Sequence, residues 1–182
     1  LRPHSFEDLI AMIALYRPGP MEAGLLESFI DRKSGKEKIS YFFDDMEEAL
    51  KPILLPTYGV IVYQEQVIQI VQVIGGFSLG EADLVRRAMG KKKVDEMLKI
   101  SEKFINGAVE KGYKAEEAKA LFALIEKFAG YGFNKSHSAA YAMISYYTAW
   151  LKFYFPEYFM AHLMNSDIDK TDSLVNYIGE CK

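Results

Sequence analysis

A glycine-broken turn leading into eighteen nearly uninterrupted apolar residues restricts this chain more than any other feature. Gly130 and Gly132 interrupt a strongly periodic helical pattern and free the backbone for turn geometry. From Ser138 to Phe155 the only non-apolar positions, with tyrosines counted among the apolar set, are Ser138, Ser145, Thr148 and Lys152. Their spacings of seven, three and four form one narrow stripe, so the pattern predicts a helix surrounded by protein on most sides. Between the glycines and this helix lie Asn134, Lys135, Ser136 and His137, with Ser136 or Ser138 placed to cap the first turn. A helix N-terminus presents unpaired N–H groups and a partial positive charge, and with Lys135 and His137 beside it the turn suits a phosphate or a carboxylate. Read alone, the same residues also make an ordinary helix-to-helix turn, with Asn134 and Ser136 serving local backbone groups, Lys135 solvated and His137 half-buried.

The chain's 182 residues, half of them hydrophobic, suffice for one domain or for one domain with a small appendage. A net charge of −3 leaves room for a local basic surface. One cysteine, Cys181, cannot form an internal disulfide, and no cluster of Cys and His suggests a metal, so a reduced, cytoplasmic setting is expected. The chain begins at Leu1 with no basic-then-apolar leader, and reads as an internal fragment. Its longest uncharged run, Ser136 to Leu151, falls short of the ~20 residues that span a bilayer, and no membrane partner is expected.

Helical signals dominate the rest. Ser5 and Asp8 form a capping-box variant before a helix to about Leu15, and Arg17 to Pro20 ends it. A second helix is expected from Met21 to Arg32, and a short one from Asp44 to Leu50, with Pro52 and Pro56 making the next segment extended. After Tyr58, glutamines at 66, 69 and 72 recur every third residue among β-branched positions, which favours helix over strand. The β-branched segment before them leaves room for one short strand or hairpin near residues 58–63. Ser78 and Glu81 cap a helix that Gly90 ends, and amphipathic helices follow over Val94 to Lys111 and from Glu116 to Ala129. The chain reads as all-α.

Arg86 to Lys93, RRAMGKKK, holds five positive charges and no acid: Arg86, Arg87, Lys91, Lys92 and Lys93. Cations near a helix C-terminus offset its dipole, and Asp83 stands at i,i+4 from Arg87, but one or two charges would serve that purpose. Five form a repulsive cluster that a phosphate-bearing partner would relieve, with the arginines gripping oxygens bidentately and the lysines acting as point charges. This second basic stretch tips the reading of the Asn134 to His137 turn toward phosphate as well. No catalytic set emerges. Asp167 and Asp169 form a solvated DxD, Asp44 and Asp45 a helix cap, and His4 and His162 stand without partners; neither a P-loop nor a nucleophile elbow is present.

Four stretches, LYRPGP at Leu15 to Pro20, TYGVIVYQEQV at Thr57 to Val67, LVRRAMGKKK at Leu84 to Lys93 and FAGYGFNKSHSAAYA at Phe128 to Ala142, resemble the fingers region of bacterial DNA polymerase III alpha subunits, the replicative polymerases of the C family. The resemblance covers essentially the whole chain, in the family's order, as one fingers domain over 1–182. It implies a part of a DNA-directed DNA polymerase, a nucleotidyltransferase. Two magnesium ions would be held by palm aspartates outside the chain, and clamp-binding and OB parts would follow it. Implied partners are dNTP, primer-template DNA, the palm and other domains of the same polypeptide, and other replicase subunits. Alone, the piece would be inactive and would hold neither a catalytic residue nor a metal. Carried over by motif, Arg86, Arg87 and the turn from Asn134 to His137 face the incoming triphosphate and nascent base pair, while Tyr131, Phe133 and Tyr141 stack on base or sugar, or pack in the core. A free-standing helical nucleic-acid-binding or protein-interaction domain is the competing reading.

Overall fold

The computed structural model describes residues 1–91, 94–128 and 131–181, and among them finds helices and no strand. Helix α1 (Phe6–Leu15) starts at the expected box: Ser5 Oγ accepts from Asp8 N at 3.1 Å, and Asp8 Oδ2 accepts from Ser5 N at 3.2 Å. The Arg-Pro-Gly-Pro turn is itself the start of a helix, α2 (Pro18–Glu22), because proline at the first helical position gives up an N–H that has no intrahelical partner. The single helix expected from Met21 to Arg32 is therefore divided. Gly24, left-handed at φ 73°, separates α2 from α3 (Leu25–Lys33).

A 3-10 turn at Asp44–Met46 leads into α4 (Glu47–Leu54), and another follows at Leu55–Thr57. The extended segment expected around Pro52 and Pro56 is absent. Pro52 lies inside α4, where one forfeited backbone hydrogen bond is outweighed by burial of Leu50 and Leu54, and Pro56 sits in a first turn where its missing N–H costs nothing.

Val60, Ile61 and Val62 run buried but irregular, and the place left for a strand holds one isolated parallel bridge between Tyr63 and Phe133. Helix α5 (Gln64–Val73) follows, as the glutamine period predicts. Gln66 is buried. Its Oε1 accepts from Val62 N at 2.8 Å and Tyr63 N at 3.0 Å, and its Nε2 donates to Ile53 O at 3.2 Å and Thr57 Oγ1 at 2.7 Å. One amide thereby satisfies the backbone that enters α5, which a buried irregular segment requires.

Helix α6 (Leu79–Lys91) carries the predicted Ser78–Glu81 box and runs one residue past Gly90, its expected stop. Helices α7 (Val94–Glu110) and α8 (Ala115–Phe128) pack together, with the fully buried Phe104 and Phe122 rings 5.3 Å apart. At Gly107 a Cβ would stand 2.0 Å from Gly75 O, so the end of α5 touches α7 backbone to backbone.

Helices α9 (Lys135–Tyr154), α10 (Pro156–Ser166) and α11 (Thr171–Glu180) complete the chain, which forms two compact units, Leu1–Ser138 and Ala139–Lys182. The expected enclosure of the apolar helix is not found. Ile144, Tyr147, Trp150, Leu151, Phe153 and Tyr154 are all exposed, whereas Ser138, assigned to the polar stripe, is fully buried. Within the second unit α10 buries Met160 and α11 buries nothing, so these helices offer no core that could enclose α9. Among the described residues no helix is long and apolar enough to cross a membrane.

Candidate functional site

Three of the four sequence stretches meet where α9 begins. Gln64 N donates to Phe133 O at 2.9 Å and Gln64 Nε2 to Gly132 O at 3.4 Å, so the start of α5 is tied to the turn before α9. Gly19, in the Arg-Pro-Gly-Pro segment, lies against the Tyr131 ring so closely that a Cβ would come within 2.7 Å of Cδ1. Only glycine permits that approach.

The cap of α9 is Asn134, not Ser136 or Ser138. Asn134 Oδ1 accepts from His137 N at 2.8 Å, the N-cap geometry that removes one orphan donor, and Ser136 is left exposed on the first turn. Glu65 completes the arrangement from α5. Its Oε1 accepts from Asn134 Nδ2 at 2.7 Å and its Oε2 from Lys135 N at 3.0 Å. The anion that the helix N-terminus attracts is thus a carboxylate of the chain itself. Lys135 Nζ is 3.0 Å from Glu7 Oε2 and 5.4 Å from the centre of the Tyr63 ring. Tyr63 is buried with no hydrogen-bond partner for its hydroxyl among the described residues. Burial, and then the charges of Glu7, Glu65 and Asp8, push its pKa upward, so it stays a neutral phenol. His137 is exposed, its ring edge-on to Phe133 at 5.5 Å.

Arg17 belongs to this site, although the charge pattern did not single it out. Its Nη2 donates to Tyr131 O at 2.7 Å, its Nε to Ala14 O at 2.7 Å, and its guanidinium carbon lies 4.5 Å from the centre of the Phe133 ring. The signal was the following proline, which holds Arg17 extended at φ −144°, ψ 152°. Tyr131 and Phe133 are both half-buried and engaged by Arg17, while Tyr141 lies exposed in the second unit.

In the second basic stretch, Asp83 pairs with both arginines. Asp83 Oδ1 is 2.8 Å from Arg86 Nη2, and its Oδ2 is 2.8 Å from Arg87 Nε, the i,i+4 pair that the spacing offers. The Arg86 hydrogen bond first, and then Arg87, hold the Asp83 carboxyl below its ordinary value. Lys91 is described as the last residue of α6, and Lys92 and Lys93 lie outside the described residues.

Other acids have structural employment. Asp8 and Lys33 form a buried pair at 2.8 Å, and Tyr58 Oη donates to Asp8 Oδ1 at 3.1 Å. Burial raises the Asp8 pKa, but Lys33, His4 N and Tyr58 together outweigh it and leave the carboxyl below its ordinary value. Asp167, expected to be solvated, instead accepts from Lys170 Nζ at 2.8 Å and from Tyr177 Oη at 2.8 Å, linking α10 to α11. Among the described residues no three His, Cys, Asp or Glu side chains converge to hold a metal ion.

The family model for the bacterial DNA polymerase III alpha subunit finger domain matches residues 1–112. The chain is 56% identical to the DNA polymerase III subunit alpha of Escherichia coli (strain K12), 57% to that of Pasteurella multocida and 59% to that of Campylobacter jejuni subsp. jejuni. Each alignment covers the whole chain but only 15% or 16% of the relative, so the chain spans about a sixth of their length.

Proposed function

Because the chain belongs to the bacterial DNA polymerase III alpha subunit finger-domain family, we propose that it serves as the fingers of a replicative DNA-directed DNA polymerase and positions the incoming dNTP against the primer-template. The observation that carries the reading is the convergence of the Arg17–Pro20, Gln64–Gln66 and Tyr131–His137 segments on one helix N-terminus with a lysine at its mouth. Phosphoryl transfer is accelerated mainly by placing the reactants and stabilising charge, which is what a rigid turn bearing Lys135, together with the Arg86–Arg87 pair, can supply. A triphosphate reaching these cations exchanges carboxylate oxygens for phosphate oxygens; Glu7 and Asp83 are the groups it displaces. Both pairs are substantially exposed, so each exchange gives up little. The two magnesium ions of polymerase chemistry are proposed to be held by palm aspartates outside the chain, and no step here depends on them. DNA, the remaining domains of the polypeptide and other replicase subunits are its proposed partners, in the cytoplasm.

The test is charge removal in the intact polymerase. Arg86→Ala and Lys135→Ala should each lower kcat/KM for nucleotide by about tenfold to a thousandfold, or about 1.4 to 4 kcal/mol, with thermal stability nearly unchanged. Lys99→Ala, at an exposed position on α7, is the control and should leave catalysis intact. Equal nucleotide dependence in all three variants would remove both basic stretches from the nucleotide site.

A further inference from the structure

Arg17 lies outside both basic stretches, yet it is tied directly to the turn before α9. Two of its nitrogens donate to carbonyls 117 residues apart in the chain, Ala14 O and Tyr131 O, and the same planar group covers the Phe133 ring. The backbone on its own side is fixed independently: α1 ends at Leu15, and Pro18 holds Arg17 extended. Gly19 then lets the Tyr131 ring close against the proline turn. On the far side, Phe133 O is held by Gln64 N, and Asn134 and Lys135 N are held by Glu65. The turn is therefore clamped from α5 at residues 132–135 and from Arg17 at residues 131–133.

We infer that Arg17 is a positioning residue that sets the Tyr131–Phe133 turn, and through it the placement of Asn134 and Lys135, for nucleotide use. The inference rests on the reading of that turn as part of the nucleotide site. Lysine cannot replace it, because one ammonium has neither a plane to lie over Phe133 nor two N–H vectors fixed toward two carbonyls.

The experiment uses the intact polymerase, with Arg17→Ala and Arg17→Lys beside the parent. Hydrogen exchange at residues 131–138 reads the turn itself, with α7 and α8 as internal references. Steady-state kinetics with a primed template reads its consequence. Both variants should raise exchange at 131–138 by about tenfold while leaving α7 and α8 protected, and both should lower kcat/KM for nucleotide by about ten- to a hundredfold. Most of the loss should fall on kcat, because Arg17 orients the turn without being a phosphate contact. A structural role alone would lower the melting temperature and expose α7 and α8 as well, and would spare the kinetics of the molecules still folded. Unchanged exchange at 131–138, or full rescue by lysine, overturns the inference. Raised exchange with unaltered kinetics overturns it through its premise, the assignment of this turn to the nucleotide site.

Discussion

Phe104 and Phe153 are the same side chain in two opposite settings. Phe104, on α7, is fully buried against Phe122, whereas Phe153, on α9, is 77% exposed. The α7–α8 pair has an apolar stripe at helical spacing backed by charged residues, and that stripe finds its cover inside the first unit. Helix α9 is apolar around most of its circumference, and its cover is not supplied by α10 or α11. An amphipathic pattern thus reports a partner close by, while an all-round apolar pattern reports how much cover a helix needs without saying where it is.

Alanine substitutions in the 182-residue chain separate the two phenylalanines. Phe104→Ala should destabilise it by about 3 to 5 kcal/mol, the cost of emptying a core site, while Phe153→Ala should stay within about 0.5 kcal/mol. Urea denaturation of both variants measures the difference. A loss of similar size in the two would mean that α9 is as enclosed as α7.

A smaller effect is expected at Gln66. Gln66→Leu strands the N–H groups of Val62 and Tyr63 in a buried segment and should cost about 2 to 3 kcal/mol by the same assay. At Gln69, exposed on the same helix, the matching change should be near neutral.

Ion pairs sharpen the contrast further. Asp8–Lys33 is buried in the first unit, whereas Lys152–Glu180 pairs two half-exposed side chains in the second. The folded-state pKa of Asp8 is depressed, so its contribution is present above the ordinary carboxyl value of 3.8 and is lost as pH falls through the lower folded value. Asp8→Asn should therefore destabilise the chain at neutral pH, and the gap to the parent should shrink below about pH 4. Glu180→Gln should change stability by less than about 0.5 kcal/mol at any pH. Melting curves across the acid range test both, and a parent–Asn gap that widened in acid would contradict the assignment.

What the sequence disclosed follows the range of the interactions. The Ser5–Asp8 and Ser78–Glu81 boxes involve residues three apart, and α5, α7 and α8 show their faces in their own periodicity, so all were legible. The cap of α9 was not, because Asn134 takes that role with help from Glu65, almost seventy residues earlier, and local preference alone favours a serine equally. Arg17 was hidden for the same reason, since its partner Tyr131 lies 114 positions away. Both basic stretches stood out as clusters of charge, but only some of the carboxylates that hold them did. Asp83 was legible as a partner for Arg87, whereas Glu7 and Glu65 are brought to Lys135 only by folding.

If the turn before α9 faces the incoming nucleotide, Lys135 reports on it directly. In the intact polymerase bound to primer-template, acylation of Lys135 by an amine-reactive reagent is followed by mass spectrometry with and without the complementary dNTP, and Lys99 on α7 serves as reference. The complementary nucleotide should protect Lys135 several-fold while Lys99 reacts at an unchanged rate and a non-complementary nucleotide protects neither. Equal labelling of Lys135 in the presence and absence of the complementary nucleotide would contradict that placement of the turn.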